Sequence, residues 1–213
     1  MYLSRVEIDY DNRRLSRQLN HLGAFHNWVE QSFPEEFEKN IRTRKLWRID
    51  TLNQKQYLLV VSEKKPDLSR LEKYGKKSTA ESKSYDEFLD SLEKGQKVKF
   101  RLVLNPIVSR IEDKKQGKRG RVFPLIKEID QLNYLYKRAE KNGFSLEKNG
   151  FYLLKSSFEE IKRKNKKALK IVKAEYQGEL TIIDKEKFID TLTNGMGKKK
   201  AYGFGMMTVI PMG

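Results

Sequence analysis

Two histidines, at positions 21 and 26, are the chain's only side chains whose ordinary pKa, near 6.5, lies close to neutral pH. The 213 residues include no cysteine, which excludes disulfides, thiolate nucleophiles and thiolate metal sites together. His26 is the candidate for proton transfer, because it lies on the stripe Leu15, Leu19, Leu22, His26, Val29 and Phe33, which keeps one face of a helix ended by Pro34. A core histidine with satisfied polar atoms fits the same position. On a continuous helix His21 points about 140° around the axis from His26, so the two do not share one site.

A second set of candidates lies near the end of the chain, in Gly195-Met196-Gly197-Lys198-Lys199-Lys200-Ala201-Tyr202-Gly203-Phe204-Gly205. Gly195, Gly197, Gly203 and Gly205 free the backbone to approach a ligand closely; Lys198, Lys199 and Lys200 suit an anion; Tyr202 and Phe204 offer faces on which a base can stack. A phosphate-rich ligand fits, and so does a solvated connector. The spacing is not that of a P-loop, which excludes a nucleoside triphosphate site of that kind. Two further basic segments are Lys162-Arg163-Lys164-Asn165-Lys166-Lys167, between two strands, and a loop with Lys114, Lys115, Lys118, Arg119 and Arg121. Each is either a solvated turn or a grip on the phosphates flanking an RNA stem. Asp9 with Asp11 and Glu35 with Glu36 read as loop or helix-start residues, so neither a metal nor another cofactor is expected.

The whole chain shares the basic bias. Lys+Arg 45 against Asp+Glu 29 gives a net charge of 45 − 29 = +16, with 11% aromatic residues. That combination implies a folded protein with a polyanionic partner rather than a disordered basic tail. No apolar run approaches a membrane span and the start lacks a signal-peptide core, so no membrane partner and a cytoplasmic location are expected.

These candidates must be positioned by elements that the patterning delimits. Tyr2 to Asp9 alternates as a strand; the Leu15 to Phe33 stripe is a helix, or a short turn and a helix beginning near Ala24, since Gly23 weakens its middle. Lys45–Leu52 and Gln56–Ser62 form a hairpin, Asp67 caps a short helix closing at Gly75, and Lys76 to Lys83 is a loop. Ser84 and Glu87 have capping-box spacing ahead of a helix stopped at Gly95, and Val98 to Leu104 is a strand ended by Asn105-Pro106. This βαββαβ order is that of a ferredoxin-like unit. The second half reads the same way, with a helix from Leu125 to Ala139, strands in Gly150–Ile161 and Leu169–Ile183, a helix capped by Asp184, and a last strand after the glycine loop. The expected class is α+β, two tandem ferredoxin-like domains, 1–106 and 107–213.

Several separated motifs carry a family resemblance. Met1-Tyr2-Leu3-Ser4-Arg5-Val6, Leu46-Trp47-Arg48, Arg101 to Pro106, Arg121 to Glu128, Gly178-Glu179-Leu180-Thr181 and the glycine loop, in this order, resemble the CasE-type CRISPR RNA-processing endoribonucleases of subtype I-E. The resemblance implies a metal-independent nuclease that cuts precursor CRISPR RNA within repeats beside a stem-loop. It also implies that the enzyme stays on the product with the other subunits of the interference complex. The family's histidine falls on His26, its glycine-rich loop on Gly195 to Gly205, and its stem-engaging basic hairpin on the segment around Lys162 to Lys167. Family members often also carry a tyrosine three residues before the histidine, where this chain has Gly23. Attack of a 2′-hydroxyl on the adjacent phosphorus gives a 2′,3′-cyclic phosphate and a 5′-hydroxyl, which needs positioning, a proton shuttle and charge neutralisation but no external water. Two alternatives stay open: a non-catalytic RNA-binding module, since Lys200 to Met207 partly follows the aromatic strand pattern of RNA-recognition motifs, and a purely structural subunit of a ribonucleoprotein.

Overall fold

The computed structural model describes residues 1–110, 121–163 and 166–212, at positions 37, 162, 163, 166 and 167 for the backbone alone. Its first antiparallel sheet holds β1 (Tyr2–Glu7), β2 (Lys45–Leu52), β3 (Lys55–Ser62) and β4 (Glu81–Ser84) in the order β2-β3-β1-β4. The helices of this half are α1 (Arg13–Ser16), α2 (Leu22–Gln31), α3 (Pro34–Glu38), α4 (Leu68–Leu71) and α5 (Asp86–Asp90).

The stripe from Leu15 to Phe33 is interrupted, and α2 begins at Leu22 because of its cap. His21 is extended and accepts the Ala24 N–H on Nδ1 at 3.2 Å, satisfying one of the helix's unpaired first donors. A Cβ on Gly23 would come within 3.0 Å of the His21 ring, so the glycine that weakens this helix also makes room for its cap. Phe25, Trp28 and Val29 then fill the space over Val6, Ile8, Leu58 and Val60, with the buried Trp28 indole donating to the Leu71 carbonyl at 3.1 Å. This turns the buried face away from the expected stripe and leaves His26 at its margin.

The expected Lys76–Lys83 loop contains the start of β4, which pairs with β1 from Tyr2↔Ser84 to Arg5↔Glu81. Its residues are all polar, so no period-2 signal betrays it; backbone bonds, the Ser4–Ser82 hydroxyl contact at 2.9 Å and the Arg5–Glu81 pair hold it to the edge. With β4 placed there, the strand Lys97–Leu104 is free to open the second unit as β5.

The second half continues with β6 (Ile107–Arg110), β7 (Arg121–Pro124), α6 (Glu128–Ala139), β8 (Phe144–Ser145), β9 (Phe151–Arg163), β10 (Lys166–Ile182), α7 (Lys185–Asn194) and β11 (Met207–Pro211). Its main sheet runs β11-β5-β10-β8, with β9 also paired to β10, and β6 and β7 form a separate two-stranded ribbon. A division at Asn105-Pro106 would cut β5 from β10, paired from Ala174↔Leu104 to Thr181↔Lys97, and from β11, paired from Met207↔Leu102 to Pro211↔Val98. The sheets part between Ser84 and Lys97 instead. Two tandem ferredoxin-like units result, each with its first strand beside its third. Among the described residues no helix is long and apolar enough to cross a membrane.

Arg48 joins the units. It is 2% exposed, and its five N–H donors reach both Asp50 oxygens at 2.6 Å, the carbonyls of Arg101 (2.8 Å) and Met206 (2.9 Å), and the Thr208 hydroxyl (2.6 Å). Replacing it leaves the Asp50 carboxylate to Arg101, 4.0 Å away, and takes a donor from two carbonyls at the seam. Arg48→Ala is expected to lower the free energy of unfolding by about 3–5 kcal/mol in urea denaturation. A loss below about 1 kcal/mol, typical of a surface pair, would show the clamp to be dispensable.

Candidate active site

Three of the expected features converge at the junction of the units. Leu22 of α2, Leu169, Ile161 and Ile171 of the β9–β10 hairpin, Val103 of β5, and Tyr202 and Phe204 of the glycine loop pack as one apolar cluster. Leu22 starts the helix that carries His26 one turn later. The hairpin is longer than expected, its ladder reaching Arg163↔Lys166.

His26 is 35% exposed at the side chain, so a ligand can reach it. Its Nδ1 lies 3.9 Å from Glu30 Oε1 one turn along, and its ring packs tilted on Tyr202 with centroids 5.9 Å apart. Burial lowers its pKa, Glu30 opposes this, and the charges of Lys45 and Arg42 push it further down. The imidazole is therefore neutral at pH 7 and able to accept a proton. Glu30 is held in turn by Lys45 Nζ, 3.5 Å from it and 2.7 Å from Glu36. Burial raises the Glu36 carboxyl, but Lys45 together with the Thr43 hydroxyl and N–H outweighs it and holds the group below the usual range. Glu36 is thus the anchor of a buried pair rather than a mere helix-start residue.

The glycine loop packs against the protein itself more than against open space. Gly203, at φ +81°, lies flat on Trp47, whose ring a Cβ would meet at 2.8 Å, and the Trp47 indole donates to the Ala201 carbonyl at 3.1 Å. Gly205, at φ +86°, has the Met196 carbonyl 2.4 Å from where its Cβ would stand, while its own N–H donates to Val103. Gly195 rests on Leu46 and Gly197 near Leu104. Phe204 is buried, so only Tyr202 of the two aromatics remains half-exposed to meet a base. Lys200 to Tyr202 form a 3-10 turn and β11 is an edge strand, so the partial RNA-recognition-motif pattern does not lie on a central strand.

The lysines of the loop differ in use. Lys198 is exposed, Lys199 lies half-buried with its ammonium 6.0 Å from the Tyr202 ring centroid, and Lys200 turns back to the Asn194 carbonyl at the end of α7 at 2.7 Å. Burial lowers the Lys200 pKa, with Arg44 adding to the effect and Asp190 opposing it. Arg121 lies on β7 with its guanidinium 5.9 Å from the Phe123 ring. Lys114, Lys115, Lys118, Arg119 and Lys164 lie outside the described residues, and Lys162, Arg163, Lys166 and Lys167 are placed by backbone only, at the end of the hairpin. Sequence patterning passed over Glu30, Arg42, Arg44 and Tyr202's pairing with His26; the basic run Arg42-Thr43-Arg44-Lys45 was the available signal. Among the described residues no three His, Asp or Glu side chains are grouped to hold a metal ion.

A family profile described as CRISPR associated protein matches residues 1–211. The chain belongs to this family. It is 27% identical over 222 residues to the CRISPR-associated endoribonuclease Cse3 of Thermus thermophilus, covering 99% of this chain and 100% of that protein. The structure of Thermus thermophilus Cse3 bound to an RNA representing a pre-cleavage complex superposes with a TM-score of 0.79 at 26% identity, covering 99% of this chain and 98% of that one. A chain of a CRISPR RNA-guided surveillance complex shares the fold, with a TM-score of 0.72 at 19% identity over 98% of this chain and 99% of that one. The CasE-type resemblance is therefore borne out over nearly the whole chain.

The electrostatics of His26 are open to direct measurement. Its imidazole, followed by NMR titration, is expected to titrate below the ordinary histidine value near 6.5, and in Glu30→Gln, which removes the carboxylate that favours the charged ring, lower still. A rise in that variant would mean that Glu30 does not face the ring in solution.

Proposed function

We propose that this chain is a metal-independent endoribonuclease that cleaves CRISPR repeat RNA beside a stem-loop, in the cytoplasm, and stays on the product as a subunit of an interference complex. The observation that carries this reading is the meeting of a reachable, neutral His26 with the glycine loop and with the part of the β9–β10 hairpin just short of its basic end at one junction. Likeness to an endoribonuclease solved with pre-cleavage RNA supports the same substrate class, and the surveillance-complex chain of the same fold supports the assembly.

The chemistry follows from the residues. A stem held by Lys162, Arg163, Lys164, Lys166 and Lys167 sets the strand leaving it across the junction, where Lys198 and Lys199 face its phosphates. His26, neutral at pH 7, accepts a proton, while Glu30 lies on the Nδ1 side of the ring, 3.9 Å away and beyond hydrogen-bond reach. The 2′-hydroxyl displaces the 5′-oxygen in line, leaving a cyclic phosphate, and the reaction makes no demand for a hydrolytic water. The inventory of one histidine, lysines and arginines suits this path.

His26→Ala is expected to slow single-turnover cleavage by at least about 10²-fold with little change in RNA affinity, since acid–base groups contribute roughly 10²–10⁴-fold. Wild-type cleavage in excess EDTA should proceed and leave a 2′,3′-cyclic phosphate by mass spectrometry. A 5′-phosphate product would instead require a hydrolytic mechanism.

Replacing Lys166 and Lys167 together by alanine should weaken stem-loop binding and flatten its log–log salt slope by roughly 0.7–0.9 for each phosphate that is no longer neutralised. An unchanged slope would remove the hairpin from the RNA interface.

A further inference from the structure

His26 supplies one proton-transfer group, but in-line displacement has two ends: the attacking 2′-oxygen loses a proton as the departing 5′-oxygen gains one. The side chain that faces His26 from the other unit is Tyr202. Its ring centre lies 5.9 Å from that of the imidazole, at an interplanar angle of 49°. The two rings are in contact and both are part-exposed, so a phosphodiester lying over the pair can meet both groups.

Tyr202 is presented rather than stored. It is half-exposed, unlike its buried neighbour Phe204, and among the described residues its hydroxyl makes no hydrogen bond within the protein. The turn that carries it is fixed from beneath by the Trp47 indole on Ala201 and by Gly203 against the Trp47 ring. It is entered through Lys199 in the left-handed region at φ +69°, a conformation that a lysine adopts only when its surroundings impose it. The same Lys199 places its ammonium 6.0 Å from the centre of the phenol ring, so a cation lies beside the ring where a phosphate would sit. An unpartnered phenol, held on a constrained turn beside a cation and facing the histidine, has the features of an acid waiting for its base.

The geometry points to Tyr202 as the general acid of the cleavage, donating its proton to the departing 5′-oxygen while His26 takes the proton of the 2′-hydroxyl. This rests on the endoribonuclease reading and assigns its second group. The bonds balance: O2′–H breaks with its proton passing to the imidazole, O2′–P forms, P–O5′ breaks, and O5′ takes the phenolic proton. The imidazolium then returns a proton to the phenolate through solvent, restoring both groups. The site draws one catalytic residue from each ferredoxin-like unit.

The test uses the full chain and a synthetic single-repeat RNA hairpin, made once with all oxygens and once with sulfur replacing the 5′-oxygen at the scissile phosphate. A thiol, with an ordinary pKa near 8.5, leaves as a thiolate and needs no acid. Tyr202→Phe keeps the ring and removes only the hydroxyl. It is expected to slow single-turnover cleavage of the all-oxygen RNA by about 10²-fold, without changing its affinity, and to cleave the sulfur RNA within a few-fold of wild type. Full activity of Tyr202→Phe on the oxygen RNA, or an equal defect on both RNAs, would overturn the assignment. His26→Ala, run alongside, should be slow on both RNAs. If it is slow while Tyr202→Phe is not, only the tyrosine falls; if His26→Ala cleaves at full rate, the histidine reading falls and the tyrosine's with it.

Discussion

Four consecutive residues at the start of β2, Lys45 to Arg48, hold the architecture together, and all four are buried. A strand normally buries one face and leaves alternate residues to solvent. Here both faces are covered, because one looks to the helices of its own unit and the other to the second unit. Lys45 pairs with Glu36 and Glu30, and Trp47 stacks on Phe25 at 5.9 Å. Leu46 lies against Gly195 and joins the core of the second unit, and Arg48 ties β2 to β5 and to the residues leading into β11. Trp47 also reaches across, to Ala201 and Gly203, so the same short stretch that orients the histidine helix orients the loop facing it.

The polar side of this stretch is as consequential as the apolar one. Lys45 has a side chain only 1% exposed, a cost met by two carboxylates rather than by solvent. Its pairing with Glu36, reinforced by Thr43, pins residues 42 to 44 where Arg42 and Arg44 reach the surface beside the junction. Positive charge thus surrounds an imidazole that burial already keeps neutral, and Glu30 works in the other direction. The arrangement suits the mechanism proposed above, which calls for an unprotonated base and for cations around the phosphates.

Packing rather than ligand binding accounts for most of the glycines in the late loop. Left-handed backbone at Gly203 and Gly205 lets the loop lie on Trp47 and fold back on Met196, and that closeness brings Tyr202 to His26. The loop was visible in the sequence as a feature of chemistry; its packing makes it first a feature of assembly.

What the sequence determined by itself was whatever short-range periodicity and composition encode: the basic character, the strands with apolar alternation, the capped helix after Asp184, and the family, through motifs scattered over the whole chain. His26 and the glycine loop also stood out as candidates, since rare residue types are conspicuous without any knowledge of their neighbours. Only tertiary structure decided the rest. β4 is an edge strand of Glu, Ser, Lys and Ser, stabilised by backbone pairing that leaves no hydrophobic period, and overlooking it placed β5 in the wrong unit. The start of α2 depended on a histidine acting as a cap, and the identity of the group facing His26 depended on a meeting across 176 residues of chain (202 − 26). Local pattern records which face of an element is apolar; which elements meet is settled by the packing of side chains such as Trp47 and Arg48, whose partners across the seam lie more than 50 residues away.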